Sequence, residues 1–221
     1  MRILAAPPLD QSAGAVQEVV DVLREDGLAC FPGHRHYVIA ASLFSEDAVL
    51  RLVQSKRRSD KAPSLVFVPN KAALERLTDE VPLLAGPLAD AFWPGPLTLL
   101  IAPGGEIPSS VLKAMGLKKS AKLGVRVPER GYANEIAKRF DAPLLISSAN
   151  ISHKVGSGSS SHIRKDFHHS VDLFVDAGDL PAGTPSTVID PCGTTIALTR
   201  EGRITAAQID EVIQRAARAV E

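Results

Sequence analysis

Seven residues stand out for what their types and spacing could do: Lys56, Arg58, Arg126, Ser148, Asn150, Ser186 and Arg200. Lys56 and Arg58 belong to "SKRRSDKAP", where Arg57 and Lys61 add two more cations. So dense a group suits polyphosphate, and arginine adds bidentate recognition of phosphate or carboxylate. The same cations would also suit a solvated helix C-terminus. Arg126 lies inside the apolar run "LGVRVPER". It either faces solvent or lines a cleft with an anionic partner, because an unpaired buried charge is costly. Ser148 and Asn150 close the apolar run Leu144–Ile146 in "LLISSANIS". They could hold a nucleotide or polar substrate, or cap a turn. Ser186 opens "STVID" and Arg200 ends "TIALTR", and ligands of α/β sheets gather outside strand ends.

This chemistry is the binding of anions rather than attack by a protein nucleophile. There is no G-x-S-x-G around Ser148 and no G-x-x-x-x-G-K-[ST] loop. The histidines at 34, 36, 153, 162, 168 and 169 lack the companions of a zinc site. Neither a catalytic side chain nor a metal ligand is assigned.

Such residues need a frame, and the chain alternates helical and strand patterns throughout. "AGAVQEVVDVLREDG" carries Val16, Val19, Val20 and Leu23 on one stripe before Gly27. "LACF" and "YVIAAS" read as strands, "SEDAVLRLVQSK" as a helix capped by Ser45, and "SLVFV" as a strand. "NKAALERL", "PLLAGPLADAF", "SSVLKAM" and "YANEIAKRF" read as helices. "LTLLIA", "LGVRV", "PLLISS", "VDLFVDAG", "STVID" and "TIALTR" read as strands. A capping box, Thr205-x-x-Gln208, opens a last helix with Ile209, Val212 and Ile213 at helical spacing. Phe92-Trp93 would pack a helix end against the core. "GLKKSAK" and the Gly/Ser-rich, then basic, His153–His169 stretch read as exposed loops. The alternation predicts a three-layer α/β domain around a mixed sheet.

The 221 residues are 45% hydrophobic and 23% charged, with formal net charge +0. A sizeable core is therefore available, and any nucleic-acid binding must come from a local patch. Two cysteines, Cys30 and Cys192, form no disulfide framework, which suits a reducing, cytoplasmic setting. "MRILAAPPLDQ" lacks the apolar core of a secretory signal, and nothing approaches the ~18 unbroken apolar residues of a membrane span.

In order, "KRR", "FWPGPLTLLI", "LGVRVP", "PLLISSANIS", "PSTVID" and "LTREG" resemble the YrdC-like family, the threonylcarbamoyl-AMP synthases, over roughly residues 15 to 204. The resemblance implies one domain over residues 1–221, with a core of about 13–204 and a C-terminal helix of about 205–220. It implies a twisted mixed sheet and a concave, positively lined cavity. It also implies a reaction in which L-threonine, bicarbonate and ATP give threonylcarbamoyl-adenylate and pyrophosphate, with Mg²⁺ assisting. The product would pass to a downstream tRNA-modifying transferase, and direct binding of double-stranded RNA is a further expectation. By resemblance Lys56, Arg58, Ser148, Asn150 and Arg200 would bind the nucleotide, and Tyr37, Arg126 and Ser186 the amino-acid substrate. The family's P-T-[DE]-T-x-Y-G segment reads "PGHRHYV" here. Gly33 and Arg35 stand in place of threonines and His34 in place of the acid. That departure leaves two other readings open: a nucleotide- or RNA-binding paralogue without turnover, or the same chemistry on another amine.

Overall fold

The computed structural model describes residues 1–56, 65–118, 120–150, 158–191 and 196–218. Among these residues ten strands form one sheet: β1 (Arg2–Ala5), β2 (Ala29–Pro32), β3 (Tyr37–Ser42), β4 (Leu65–Phe67), β5 (Leu97–Ile101), β6 (Leu123–Arg126), β7 (Leu144–Ser148), β8 (Leu173–Asp176), β9 (Thr187–Asp190) and β10 (Ala197–Arg200). Their order is β1-β8-β2-β3-β7-β4-β6-β5-β9-β10, with parallel and antiparallel neighbours. Seven α-helices accompany them among the described residues: α1 (Ala13–Arg24), α2 (Glu46–Ser55), α3 (Ala85–Phe92), α4 (Ser109–Ala114), α5 (Tyr132–Phe140), α6 (Ser160–Phe167) and α7 (Ala206–Arg218).

Side chains alternate between the two faces of each strand, and that alternation divides the core. Cys30, Tyr37, Ile39, Val66, Val125 and Leu145 pack on one face with α2, α4 and α6. Ala29, Phe31, Val38, Ala40, Phe67, Leu144 and Ile146 pack on the other with α1 and α5. Leu99 pairs with Val125, so it shares the first face; there Leu97, Leu99 and Ile189 pack with α3 and α7. The three layers are those expected from the alternation of elements.

The two faces are covered unequally. The α1–α5 pair lies over β2, β3 and β8. Among the described residues, none from β5, β6 or β9 joins its apolar cluster. On that face β5, β6 and β9 present Thr98, Arg126 and, just before β9, Ser186. The sheet is therefore half roofed, and its unroofed half carries polar side chains.

Most caps follow the sequence. Ser45 Oγ accepts the Ala48 N–H at 3.2 Å at the start of α2. Thr205 and Gln208 exchange hydrogen bonds of 2.9 and 3.3 Å, the capping box that opens α7. Trp93 seats its ring between two apolar clusters and donates from Nε1 to Leu97 O at 2.7 Å.

Three expectations are corrected. "NKAALERL" forms a 3-10 turn, Lys71–Arg76, rather than an α-helix. The stretch read as one loop from His153 to His169 contains α6, which buries Ile163 and Phe167. The sheet begins at Arg2, because β1 pairs in parallel with β8, outside the core expected from residue 13.

Candidate functional site

The face that α1 and α5 cover in part holds two groups of polar residues. The first stands at the C-terminal end of β7. Ser148 Oγ donates to Asn150 Oδ1 at 2.6 Å, and the Ala149 N–H donates to Tyr37 O at 2.9 Å. Lys56, the C-cap of α2, reaches this turn from the opposite layer. Its ammonium donates to the carbonyls of Ser148 and Asn150, lies 3.4 Å from Asn150 Oδ1, and sits 5.5 Å from the Phe167 ring centre. Lys56 is 0% exposed. The apolar run of β7 thus ends in small polar groups because a buried ammonium gathers their oxygens. Arg58, expected beside Lys56, lies outside the described residues, as do Arg57 and Lys61.

The second group surrounds Arg126 at the end of β6. Arg126 is 9% exposed, its guanidinium lies 4.9 Å from the Phe67 ring centre, and its Nε has no hydrogen-bond partner among the described residues. Burial, followed by the nearby Arg200 and Arg203 cations, pushes its pKa down to about 10, while Glu129 pulls the other way. It remains a cation at neutral pH. Arg200 donates to Ser186 O at 2.9 and 3.1 Å and lies 3.2 Å from Ser186 Oγ. Ser186 Oγ in turn lies 3.1 Å from Thr98 Oγ1. Arg203 grips both oxygens of Glu129 at 2.6 Å.

Between these residues and the β2–β3 hairpin lies a cavity of about 80 Å³, lined by His36, Arg126, Glu129, Ser186 and Arg203 together with residues 33–35, 96 and 183–185. A neighbouring hollow of about 200 Å³ shares Gly33, His34 and Glu129 with it. A larger hollow of about 550 Å³, between Leu9–Val16 and Glu135–Arg139, is remote from both polar groups. We assign the site by chemistry, because among the described residues the Arg126 cavity joins a buried cation whose Nε lacks a hydrogen-bond partner to further cations. One carboxylate faces four arginines here, Arg35, Arg126, Arg200 and Arg203, so an added anion would relieve both the charge excess and the unpartnered Nε.

Strand register fixes how the two groups relate. Arg126 pairs with Phe67, which pairs with Leu144, and Leu144 and Ser148 share a face of β7 four residues apart. At ~3.3 Å per residue the groups are offset by about 13 Å along the strands. One face therefore presents an anion pocket at one end and a serine–asparagine turn at the other.

Two placements differ from the sequence reading. Arg200 was grouped with the nucleotide residues, but it stands on Ser186 beside Arg126, because β10 folds back along β9. Tyr37 was assigned to the substrate, but it is 0% exposed. Its hydroxyl donates to Gly178 O at 2.6 Å and accepts the Ala177 N–H at 2.8 Å. Burial pushes its pKa up to about 12. Tyr37 therefore holds the hairpin base to the end of β8 and offers no surface to a ligand.

The hairpin itself is tight. The Gly33 N–H donates to His36 O at 2.9 Å, and a Cβ on Gly33 would stand 2.8 Å from Val38 Cγ1 and 3.0 Å from His36 O. A threonine at 33 therefore requires the hairpin to shift. His34 adopts φ 124°, a strained conformation for a residue with a Cβ, with its Nε2 3.9 Å from Glu129. Arg35 lies so close along Gly183 that a Cβ there would meet its Cγ and Cδ at 2.9 Å. Glu129, Arg203 and His36 were not singled out as site residues in the sequence. Glu129 and Arg203 adjoin motifs that were, "LGVRVP" and "LTREG", and that adjacency was the available signal.

Comparison with known proteins bears on the whole arrangement. The Sua5/YciO/YrdC family model, described as "Telomere recombination", matches residues 21–202. A threonylcarbamoyl-AMP synthase of Pyrococcus abyssi is 34% identical over 191 residues, 86% of this chain and 55% of that protein. One from Bacillus subtilis is 30% identical over 198 residues, 90% of this chain and 56% of that protein. The crystal structure of P. abyssi Sua5 complexed with L-threonine superposes with a TM-score of 0.80 at 29% identity, covering 96% of this chain and 60% of that one. The chain thus spans a little over half the length of these relatives.

Proposed function

The chain belongs to the Sua5/YciO/YrdC family, and from that premise we propose that it makes threonylcarbamoyl-adenylate and pyrophosphate from L-threonine, bicarbonate and ATP. One observation carries this reading: a buried, unpartnered Arg126 lines a cation-rich pocket on the same sheet face as the Ser148–Asn150 turn. An amino-acid carboxylate is the anion that suits a planar guanidinium held over a phenyl ring. Ser186 and Arg200 would adjoin the same substrate, and Arg58, Ser148 and Asn150 would serve the nucleotide, with the buried Lys56 acting on it through the turn it holds. Named relatives support the activity, and one of them is known with L-threonine bound.

The reaction needs little covalent chemistry from the protein. The threonine amine and bicarbonate give a carbamate, which displaces pyrophosphate from the α-phosphate of ATP. Holding the anions in line and neutralising the departing charge supply most of such a rate enhancement. Mg²⁺ would enter on the ATP phosphates and neutralise the pyrophosphate as it leaves. We read residues 1–221 as one domain working in the cytoplasm, handing its product to a tRNA-modifying transferase, with direct RNA contact as a secondary role. No described helix is long and apolar enough to cross a membrane.

Pyrophosphate release with ATP, Mg²⁺ and bicarbonate, with and without L-threonine, tests the proposal. Threonine-dependent release is expected. Release with another amine instead would favour the altered-substrate reading, for which the crowded Gly33 position is the specific observation. ATP affinity without turnover would leave a binding paralogue.

A further inference from the structure

We propose that His36 is the general base that takes the proton from the substrate's α-ammonium as the amine attacks bicarbonate. The inference rests on the synthase reading above and adds to it a residue from the segment in which this chain departs from its family.

His36 is half-buried at the foot of the β2–β3 hairpin and lines the small cavity together with Arg126 and Ser186. In an α-amino acid the nitrogen and the carboxylate are attached to the same carbon. A substrate whose carboxylate lies on Arg126 therefore carries its amine into the cavity that His36 lines. The groups facing His36 are mostly arginines: Arg126 from β6, Arg200 from β10, Arg203 beyond it and Arg35 from its own hairpin, with the His34 ring beside them. Glu129 is the carboxylate on the same wall, and Arg203 holds both of its oxygens. Burial first, then the Arg126, His34 and Arg200 charges, lower the pKa of His36, so at neutral pH the ring is an uncharged acceptor. The same cationic surroundings disfavour the substrate's ammonium and bring its pKa toward that of the base.

The step balances. The imidazole takes one proton from R–NH₃⁺, leaving R–NH₂ and an imidazolium. The amine nitrogen then bonds to the carbon of HCO₃⁻, and loss of one water gives the carbamate R–NH–COO⁻. The imidazolium returns its proton to solvent after the adenylate has formed.

The test compares pyrophosphate release by wild-type protein and by His36→Gln as a function of pH, at subsaturating threonine. The wild type should show an acid limb in kcat/KM below the ordinary imidazole value of ~6.5. His36→Gln should lose about 10²-fold near neutrality and rise steadily with pH, with its ATP affinity unchanged. Added imidazole should partly restore His36→Ala, an effect that a purely structural histidine would not show. If His36→Gln does not fold, His36→Asn takes its place. A variant profile parallel to an active wild type's overturns the assignment of His36 alone. A wild type that releases no pyrophosphate with threonine overturns the synthase reading and this assignment with it.

Discussion

Arg126 shows how a single residue can be ambiguous in sequence and decided in structure. Within "LGVRV" it had two exits, solvent or a lined cleft, and local pattern could not choose between them. Register chooses: its neighbour Val125 faces α2 and α4, so Arg126 must share the face of Phe67, where its guanidinium lies over that ring. Arg126→Ala should weaken threonine binding by ~2–5 kcal/mol, read by calorimetric titration, with ATP affinity little changed. Arg126→Lys should recover little, because an ammonium offers neither the planar stack nor the bidentate fork. Tyr37 is the opposite lesson. As part of a motif it read as a ligand contact, yet a fully buried hydroxyl that donates to Gly178 O and accepts the Ala177 N–H presents no surface for one. A motif records that a residue matters and does not distinguish touching the ligand from holding what touches it.

At the scale of elements, the strand and helix alternation was legible because period-2 and period-3.6 patterns are strong in "YVIAAS", "LTLLI" and "VQEVVDVLR". β1 was missed because its four residues are mostly exposed and carry little apolar pattern; pairing with β8 makes it a strand. α6 was missed because serine and charge obscured two apolar anchors, Ile163 and Phe167. Its N-terminus is held by Ser160 Oγ donating to Asp176 at 2.7 Å and the Ser160 N–H donating to Asp179 at 2.9 Å, partners too far along the chain to foresee. β9 performs a similar long-range service for the site. Thr187 is 0% exposed. Its Oγ1 donates to Ile204 O at 2.6 Å and accepts the Gly202 and Ile204 N–H groups at 3.0 Å, which fixes the turn carrying Arg203. Thr187→Val should cost ~1–3 kcal/mol by denaturant titration, the penalty of leaving buried polar groups unsatisfied. Because Arg203 is displaced with the turn, threonine affinity should fall in the folded variant as well.

At the scale of the molecule, the site follows from an incomplete roof. A sheet covered on both faces everywhere would have no room for a ligand; here α1 and α5 cover part of one face and stop short of β6. No local motif encodes that boundary, since it depends on which strands the helices reach. Nor did the neutral overall charge announce the cationic pocket, because Arg126, Arg200 and Arg203 converge from two separate parts of the chain. The wall bearing Ser186, Arg200 and Arg203 is backed by the third apolar cluster, in which α7 packs Ile209, 3% exposed, with α3, β5 and β9. Ile209→Ala should lower stability by ~2–5 kcal/mol, measured by chemical unfolding. It should also weaken threonine binding more than ATP binding, because the Lys56–Ser148–Asn150 turn rests on Tyr37 and Phe167, which belong to a different apolar cluster. The consequence reaches genetics. In a selection for loss of the proposed activity, damaging alleles should recur on the inner stripe of the last helix, although that helix does not line the pocket. Second-site suppressors of such alleles should map to α3, where a bulkier side chain could refill the gap.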